Sequence, residues 1–299
     1  MVQSPNSQYN GVDTSEPGPT ATRRWLSVSA KASLSAALLG LVLWKVPTLD
    51  ALDGIASLSW TAVVVIVVLT FAFPAVASIR WWRLLRSVGA EQSIWELFAD
   101  NLVASTYNML LPTSIGGDVV RALRCGRRIG CSHRAWSTVL FERLVGIIAL
   151  ALFSVPGLAM APASVRTLGW AVAGVVFVSL IVLVFSPTPL RWIGSVLASR
   201  APAVADVGTG VARDLSGPLS GTAIRAETMF WSLLYQAVGL GILVVVAFDW
   251  QQPWMVWAIL GGVPLALVLT MLPVSIAGLG IRESMFVVLL GHFGVEASK

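Results

Sequence analysis

Five stretches of about twenty apolar residues, near 26 to 46, 60 to 79, 136 to 159, 167 to 186 and 228 to 248, constrain this chain more than anything else in it. Each is long enough to cross a hydrocarbon layer about 30 Å thick as a helix at 1.5 Å per residue. Inside that layer no water satisfies backbone N–H and C=O groups, so a chain with these runs folds as α-helices. The composition agrees: 56% of the 299 residues are hydrophobic, 12% are charged, and the mean hydropathy is +0.80. A soluble domain carries roughly 25% charged residues. Two further apolar regions, 94 to 120 and 253 to 281, are cut near their ends by proline and glycine, which predicts hairpins that enter and leave by one face.

The interruptions are two copies of one pattern. Leu111-Pro112-Thr113-Ser114-Ile115-Gly116-Gly117-Asp118-Val119-Val120-Arg121 is matched by Leu272-Pro273-Val274-Ser275-Ile276-Ala277-Gly278-Leu279-Gly280-Ile281-Arg282, with Ser, Gly and Arg at the same offsets from Pro. Three full spans separate the copies. An odd number turns the second hairpin over, so the expected fold is an all-α polytopic membrane bundle of two inverted halves, each with a Pro/Gly-interrupted re-entrant hairpin. In that arrangement Arg121 and Arg282 converge on one pocket midway through the lipid.

Lysine and arginine assign the sides. Placing the N-terminus, the Arg80 to Arg86 stretch, the 121 to 134 loop and segment 187 to 227 in the cytoplasm puts 15 of the 20 basic residues inside. The net charge of +5 then reports cytoplasmic loops and phospholipid head groups, with no nucleic-acid motif present. Residues 1–22, rich in Ser, Pro, Gly and Asn, read as a disordered cytosolic tail without a signal-peptide core. The remainder, 23–299, is one membrane domain: a first half over about 60–160, a cytoplasmic amphipathic linker over about 187–227 and a second half over about 228–299. Its last segment, 284 to 299, is short for a span. Cys125 and Cys131 fall in the reducing compartment, so a disulfide is not expected, and His133 alone does not make a zinc site. An Ala- and Val-rich, Lys-poor chain points to a GC-rich bacterial genome and hence to a bacterial inner membrane. Arg80-Trp81-Trp82-Arg83-Leu84-Leu85-Arg86 closes a span as an interfacial anchor of cations and indoles.

Ionisable groups at membrane depth cost several kcal/mol unless paired or hydrated, which singles out Glu142 and Arg143. Helix neighbours point about 100° apart, so each needs another partner. Arg121 or Arg124 is the expected partner of Glu142, leaving Arg143 to a cavity or the head-group layer; the alternative is a purely structural ion pair. Asp118 and Arg121 share a helix face, and Gly116 and Gly117 before them allow close approach of a phosphate to free N–H groups at a helix start. Two capped turns are the bland alternative. In the second copy Ser275, Gly278, Gly280, Arg282 and Glu283 are the counterparts, with Leu279 in place of the acid. Asn101, Ser105 and Asn108 share a face that lines a wet cavity or bonds a neighbouring helix. Recognisable catalytic, nucleotide and metal motifs are missing, so no cofactor, metal or catalytic residue is assigned.

These residues carry a resemblance. Arg80-Trp81-Trp82-Arg83-Leu84-Leu85, Asn108-Met109-Leu110-Leu111-Pro112, Gly116-Gly117-Asp118 with Arg121, Phe141-Glu142-Arg143-Leu144-Val145-Gly146, and Pro273 through Gly278-Leu279-Gly280-Ile281-Arg282-Glu283 resemble the lysylphosphatidylglycerol synthase transmembrane-domain family over about 25 to 296. The resemblance implies a flippase-like membrane protein, since the best-understood relatives move aminoacylated phosphatidylglycerol between leaflets beside a soluble synthase domain. The residues of this chain carry no synthase-domain motif, and segment 284 to 299 is shorter than the last helix the resemblance implies, so lysine transfer is not expected of them. The leading expectation is a flippase for a phospholipid or lipid-linked anionic substrate, its head-group phosphate held by paired arginines, with membrane lipids and a separate synthase or glycosyltransferase as partners. The alternative is an intramembrane enzyme, or an accessory subunit, acting on a polyprenyl- or lipid-phosphate with Asp118 or Glu142 as general base.

Overall fold

The computed structural model describes residues 54, 56–110, 116–160, 163–185 and 202–271. Among them the chain is helical and contains no strand. In order the helices are α1 (Trp60–Ser87), α2 (Ile94–Leu110), α3 (Gly116–Arg128), α4 (Ser132–Met160), α5 (Ala163–Phe185), α6 (Pro202–Ser216), a 3-10 turn at Pro218–Ser220, α7 (Thr222–Asp249) and α8 (Met255–Met271). Three of these, α1, α4 and α7, are long and apolar enough to cross a membrane. They cover three of the expected runs, and α5 covers a fourth as far as Phe185. The run 26 to 46 and the whole second motif copy, including Ser275, Gly278, Gly280, Arg282 and Glu283, lie outside the described residues.

The centre of the bundle is α4. Most of its apolar length is buried, whereas α1 and α7 leave theirs largely exposed, with Val64, Val67, Val68, Phe71, Phe230 and Leu243 facing outward. That division suits spans whose outer surfaces meet lipid. Lipid is as apolar as leucine, so helix association rests on close packing rather than on escape from water. Small residues make it possible. Gly157 of α4 meets Gly261 of α8 backbone to backbone: a Cβ on Gly157 would lie 2.0 Å from the Gly261 nitrogen. On α7, Gly239 admits the Phe73 ring and Gly241 faces Leu69 of α1. The α1–α7 pair is also clasped at both ends. Asp249 accepts from the Ser59 backbone N–H at 2.9 Å and from the Ser59 hydroxyl, and Arg83 pairs with Glu227.

The segment expected as a linker is docked where it is described. Helix α6 packs against α4: Ser137 donates to the buried Asp214 at 2.8 Å, Gly210 sits against His133, and Leu215 and Leu219 join the core around Trp81, Leu84, Leu85 and Phe141. The following span begins at Thr222, six residues before the apolar run, because helix propagation continues through polar residues once a turn exists.

Candidate functional site

Helices α2 and α3 form an antiparallel pair, joined by residues 111–115 outside the described set. Opposite one another are Gly117 with Ala104 and Asn108, Arg121 with Asn101, and Arg124 and Arg128 with Asp100. Gly117 is glycine for a steric reason, since a Cβ there would lie 2.2 Å from the Ala104 carbonyl oxygen. Its N–H donates to the Asn108 side-chain oxygen at 2.8 Å. The expectation that Gly116 and Gly117 present free N–H groups to a phosphate is therefore corrected at Gly117: α3 does begin at Gly116, but the Gly117 N–H is used to hold the pair together.

Beside this pair, five charges alternate in sign across three helices: Arg80 of α1, Glu142 of α4, Arg121 and Asp118 of α3, and Arg143 of α4. Arg80 donates to Glu142 Oε1 through Nε at 3.1 Å and also through Nη2. Arg121 Nη1 donates to Glu142 Oε2 at 3.0 Å. Asp118 Oδ1 lies 3.0 Å from both Nε and Nη2 of Arg121, and its Oδ2 lies 2.8 Å from Arg143 Nη1. Adjacent on α4, Glu142 and Arg143 thus turn to different partners, as the 100° step requires. Glu142 has a side-chain exposure of 1%. A carboxylate so placed is tolerable because both oxygens accept from guanidinium groups.

Neutral groups complete the shell. Arg80 Nη1 donates to Ser232 of α7 at 3.1 Å, and Arg80 stacks over the Tyr235 ring, 4.7 Å from its centre. Arg121 lies over Trp81 at 4.9 Å, and the Trp81 indole N–H donates to Thr138. Asn101 bridges, accepting from Arg121 at 3.3 Å and donating to Ser78 of α1 at 2.9 Å. It bonds to neighbouring helices, the second of its two expected roles; Ser105 donates back to the Asn101 carbonyl.

Expected site residues Asp118, Arg121, Glu142 and Arg143 are brought together, and Asn108 with Gly116 and Gly117 fixes the start of α3. Arg124, the alternative partner of Glu142, pairs instead with Asp100, which it shares with Arg128. Sequence reasoning missed Arg80, Trp81, Ser232, Tyr235 and Asp100. The Arg80 to Arg86 stretch divides by face: Arg83 and Arg86 are exposed, with Arg86 over Trp82, whereas Arg80 and Trp81 are buried. A signal was present, because Arg80 stands three or four residues from Ala77 and Leu84 on the apolar stripe that continues through Trp81, Leu85 and Val88.

Along α1, Arg80 is about 30 Å from Trp60, the full thickness of a hydrocarbon core. The apolar parts of α4 and α7 likewise lie on one side of Glu142 and Ser232. Among the described residues the cluster therefore stands toward one end of the three long apolar helices. Nearby, burial pushes the Cys125 thiol of α3 up to about 11, with Asp100 adding to the shift. Among the described residues no group of His, Cys, Asp and Glu is arranged to hold a metal.

Comparison with known proteins adds one match. The profile of a protein family described as "Lysylphosphatidylglycerol synthase TM region" covers residues 28–299. No curated protein and no solved structure matches. The profile takes in α1 through α8, the alternating charges and both copies of the Pro–Gly–Arg pattern, so the chain belongs to the lysylphosphatidylglycerol synthase transmembrane-region family.

Proposed function

We propose that this protein is a flippase, moving a phospholipid or a lipid-linked anionic substrate between leaflets while arginines grip the head-group phosphate. The observation that supports the reading is the sequence Arg80–Glu142–Arg121–Asp118–Arg143, with guanidinium groups from α1, α3 and α4 gathered where three apolar spans end. Guanidinium offers a planar fork of donors that matches phosphate oxygens, and it stays charged when partly dehydrated. At this level a head group meets the arginines while its acyl chains remain beside the apolar faces of α1 and α7. The α2–α3 pair acts as a hairpin entering from the basic face, and the second motif copy supplies the inverted counterpart, with Arg282 in the position of Arg121. The protein works in a bacterial inner membrane with a cytoplasmic N-terminus, receiving its lipid from a separate synthase or glycosyltransferase.

The test is translocation of fluorescent phosphatidylglycerol in proteoliposomes, read by quenching from outside. The intact protein should render nearly all the label accessible. Arg121→Ala should leave about half protected, as in empty vesicles. This variant is suited to the purpose because Glu142 keeps Arg80 when Arg121 is removed. Unchanged translocation by a monodisperse Arg121→Ala protein would reject the assigned site, and product formation from a lipid phosphate in detergent, where no two leaflets exist, would reject transport in favour of enzymology.

A further inference from the structure

Two carboxylates in the cluster are shared between arginines, and their surroundings differ. Glu142, between Arg80 and Arg121, is sealed. Asp118, between Arg121 and Arg143, keeps 18% side-chain exposure and Arg143 keeps 22%, so this end of the cluster reaches the bundle surface. Each Asp118 oxygen faces a different guanidinium. Two non-bridging phosphate oxygens can meet the same pair in the same way. Asp118 also lies in the first turn of α3, where the helix favours any anion.

The geometry points to Asp118 as the internal occupant of an anion port formed by Arg121 and Arg143, which a phosphodiester enters by displacing that carboxylate. Charge selects the class. A phosphodiester carries one negative charge, as Asp118 does, so the exchange leaves the port's electrostatic balance unchanged, whereas a monoester brings roughly −1.5 to −2 near neutral pH. Glu142 remains in place and holds Arg121 in position. That the phosphodiester is a lipid head group rests on the transport reading above; that Asp118 competes with it does not.

Competition lowers apparent affinity by the fraction of time the port is vacant. Binding to the purified full chain is measured by native mass spectrometry with three probes: phosphatidylglycerol, soluble glycerophosphoglycerol and inorganic phosphate. Asp118→Asn, which keeps shape and removes charge, should bind phosphatidylglycerol about tenfold tighter than the unmodified protein. Asp118→Glu should return it to the original affinity, and Arg143→Gln should weaken it about tenfold. Tightening for phosphatidylglycerol alone assigns acyl chains a share of the grip, and equal tightening for glycerophosphoglycerol supports the port with a soluble source. A monodisperse Asp118→Asn protein that binds neither phosphodiester more tightly, or that tightens only for inorganic phosphate, overturns the inference. So does undiminished binding by Arg143→Gln, which decides alone if Asp118→Asn does not fold. Translocation by the intact protein with no change in Asp118→Asn affinity removes the port and leaves transport. Tightening without translocation does the reverse.

Discussion

Replacing Glu142 by glutamine tests whether the alternating charges are coupled in energy as well as in space. Glutamine keeps the shape and one acceptor oxygen but removes the charge that Arg80 and Arg121 share. Arg121 retains Asp118, so the burden falls on Arg80, left with the Ser232 hydroxyl and the Tyr235 ring. Removing one partner of a buried pair costs about 3–5 kcal/mol, because the surviving charge is stranded away from water. Arg80 has a side-chain exposure of 7%, so little solvent relieves it. Since Arg121 stays paired, the lower end of that range, about 3 kcal/mol, is expected for Glu142→Gln. Adding Arg80→Met should then restore at least about 1 kcal/mol, since the stranded charge is gone and the residual coupling of contacting residues is of that size. The assay is SDS-induced unfolding in mixed micelles followed by tryptophan fluorescence, with the two single variants and the double variant forming a cycle. A Glu142→Gln midpoint within about 0.5 kcal/mol of the unmodified protein, the range of ordinary surface changes, would refute the argument.

Two more expectations concern packing. Gly157→Ala drives a Cβ into the Gly261 backbone, where no side chain can move aside, and should cost about 2 kcal/mol or more, whereas Gly174→Ala on α5, with nothing within 4 Å, should be neutral or raise stability by up to about 1 kcal/mol; equal midpoints for the two would overturn the close crossing. With its thiol pushed up to about 11, Cys125 at pH 8 holds about a thousandfold less thiolate than thiol, so iodoacetamide should label the partly exposed Cys131 and spare Cys125 until unfolding, with Cys125 labelling rising as pH climbs toward 11. Equal labelling of both in the folded protein, read by peptide mass spectrometry, would contradict the burial of α3.

What the sequence reveals here follows from the range over which its signals act. Apolar runs are local, and the helices over 60–79, 136–159 and 228–248 were readable from hydrocarbon thickness alone. Asp118 with Arg121 was readable because three residues is one helical turn, and Arg121 with Glu142 because a buried acid needs a base within reach. The link from Arg80 to Glu142 spans 62 residues and that from Arg80 to Ser232 spans 152, and no periodicity encodes a contact across three helices. Arg80 also sits among arginines that are exposed, so composition disguised it; only its register on the Ala77–Leu84–Val88 stripe separates it from Arg83 and Arg86. Where the linker packs was hidden for a related reason. Residues 202–220 mix small apolar with polar side chains, and only their distant partners show the seat, where Val211, Leu215 and Leu219 meet the core and Asp214 meets Ser137 of α4.

The double clasp on α1 and α7 limits how this molecule can change shape. Ser59 with Asp249 ties the pair at one extremity and Arg83 with Glu227 ties it near the other, while the stacked rings of Phe73 and Tyr235, 4.0 Å apart, lock the stretch between. Fastened at three heights, the two rods cannot slide or splay without breaking a tie, and they travel as a single plank. Under the proposed transport, displacement then falls to the shorter α2–α3 pair, which rests against that plank through Asn101 and Ser78 and against α4 through the Arg121–Glu142 and Asp118–Arg143 pairs.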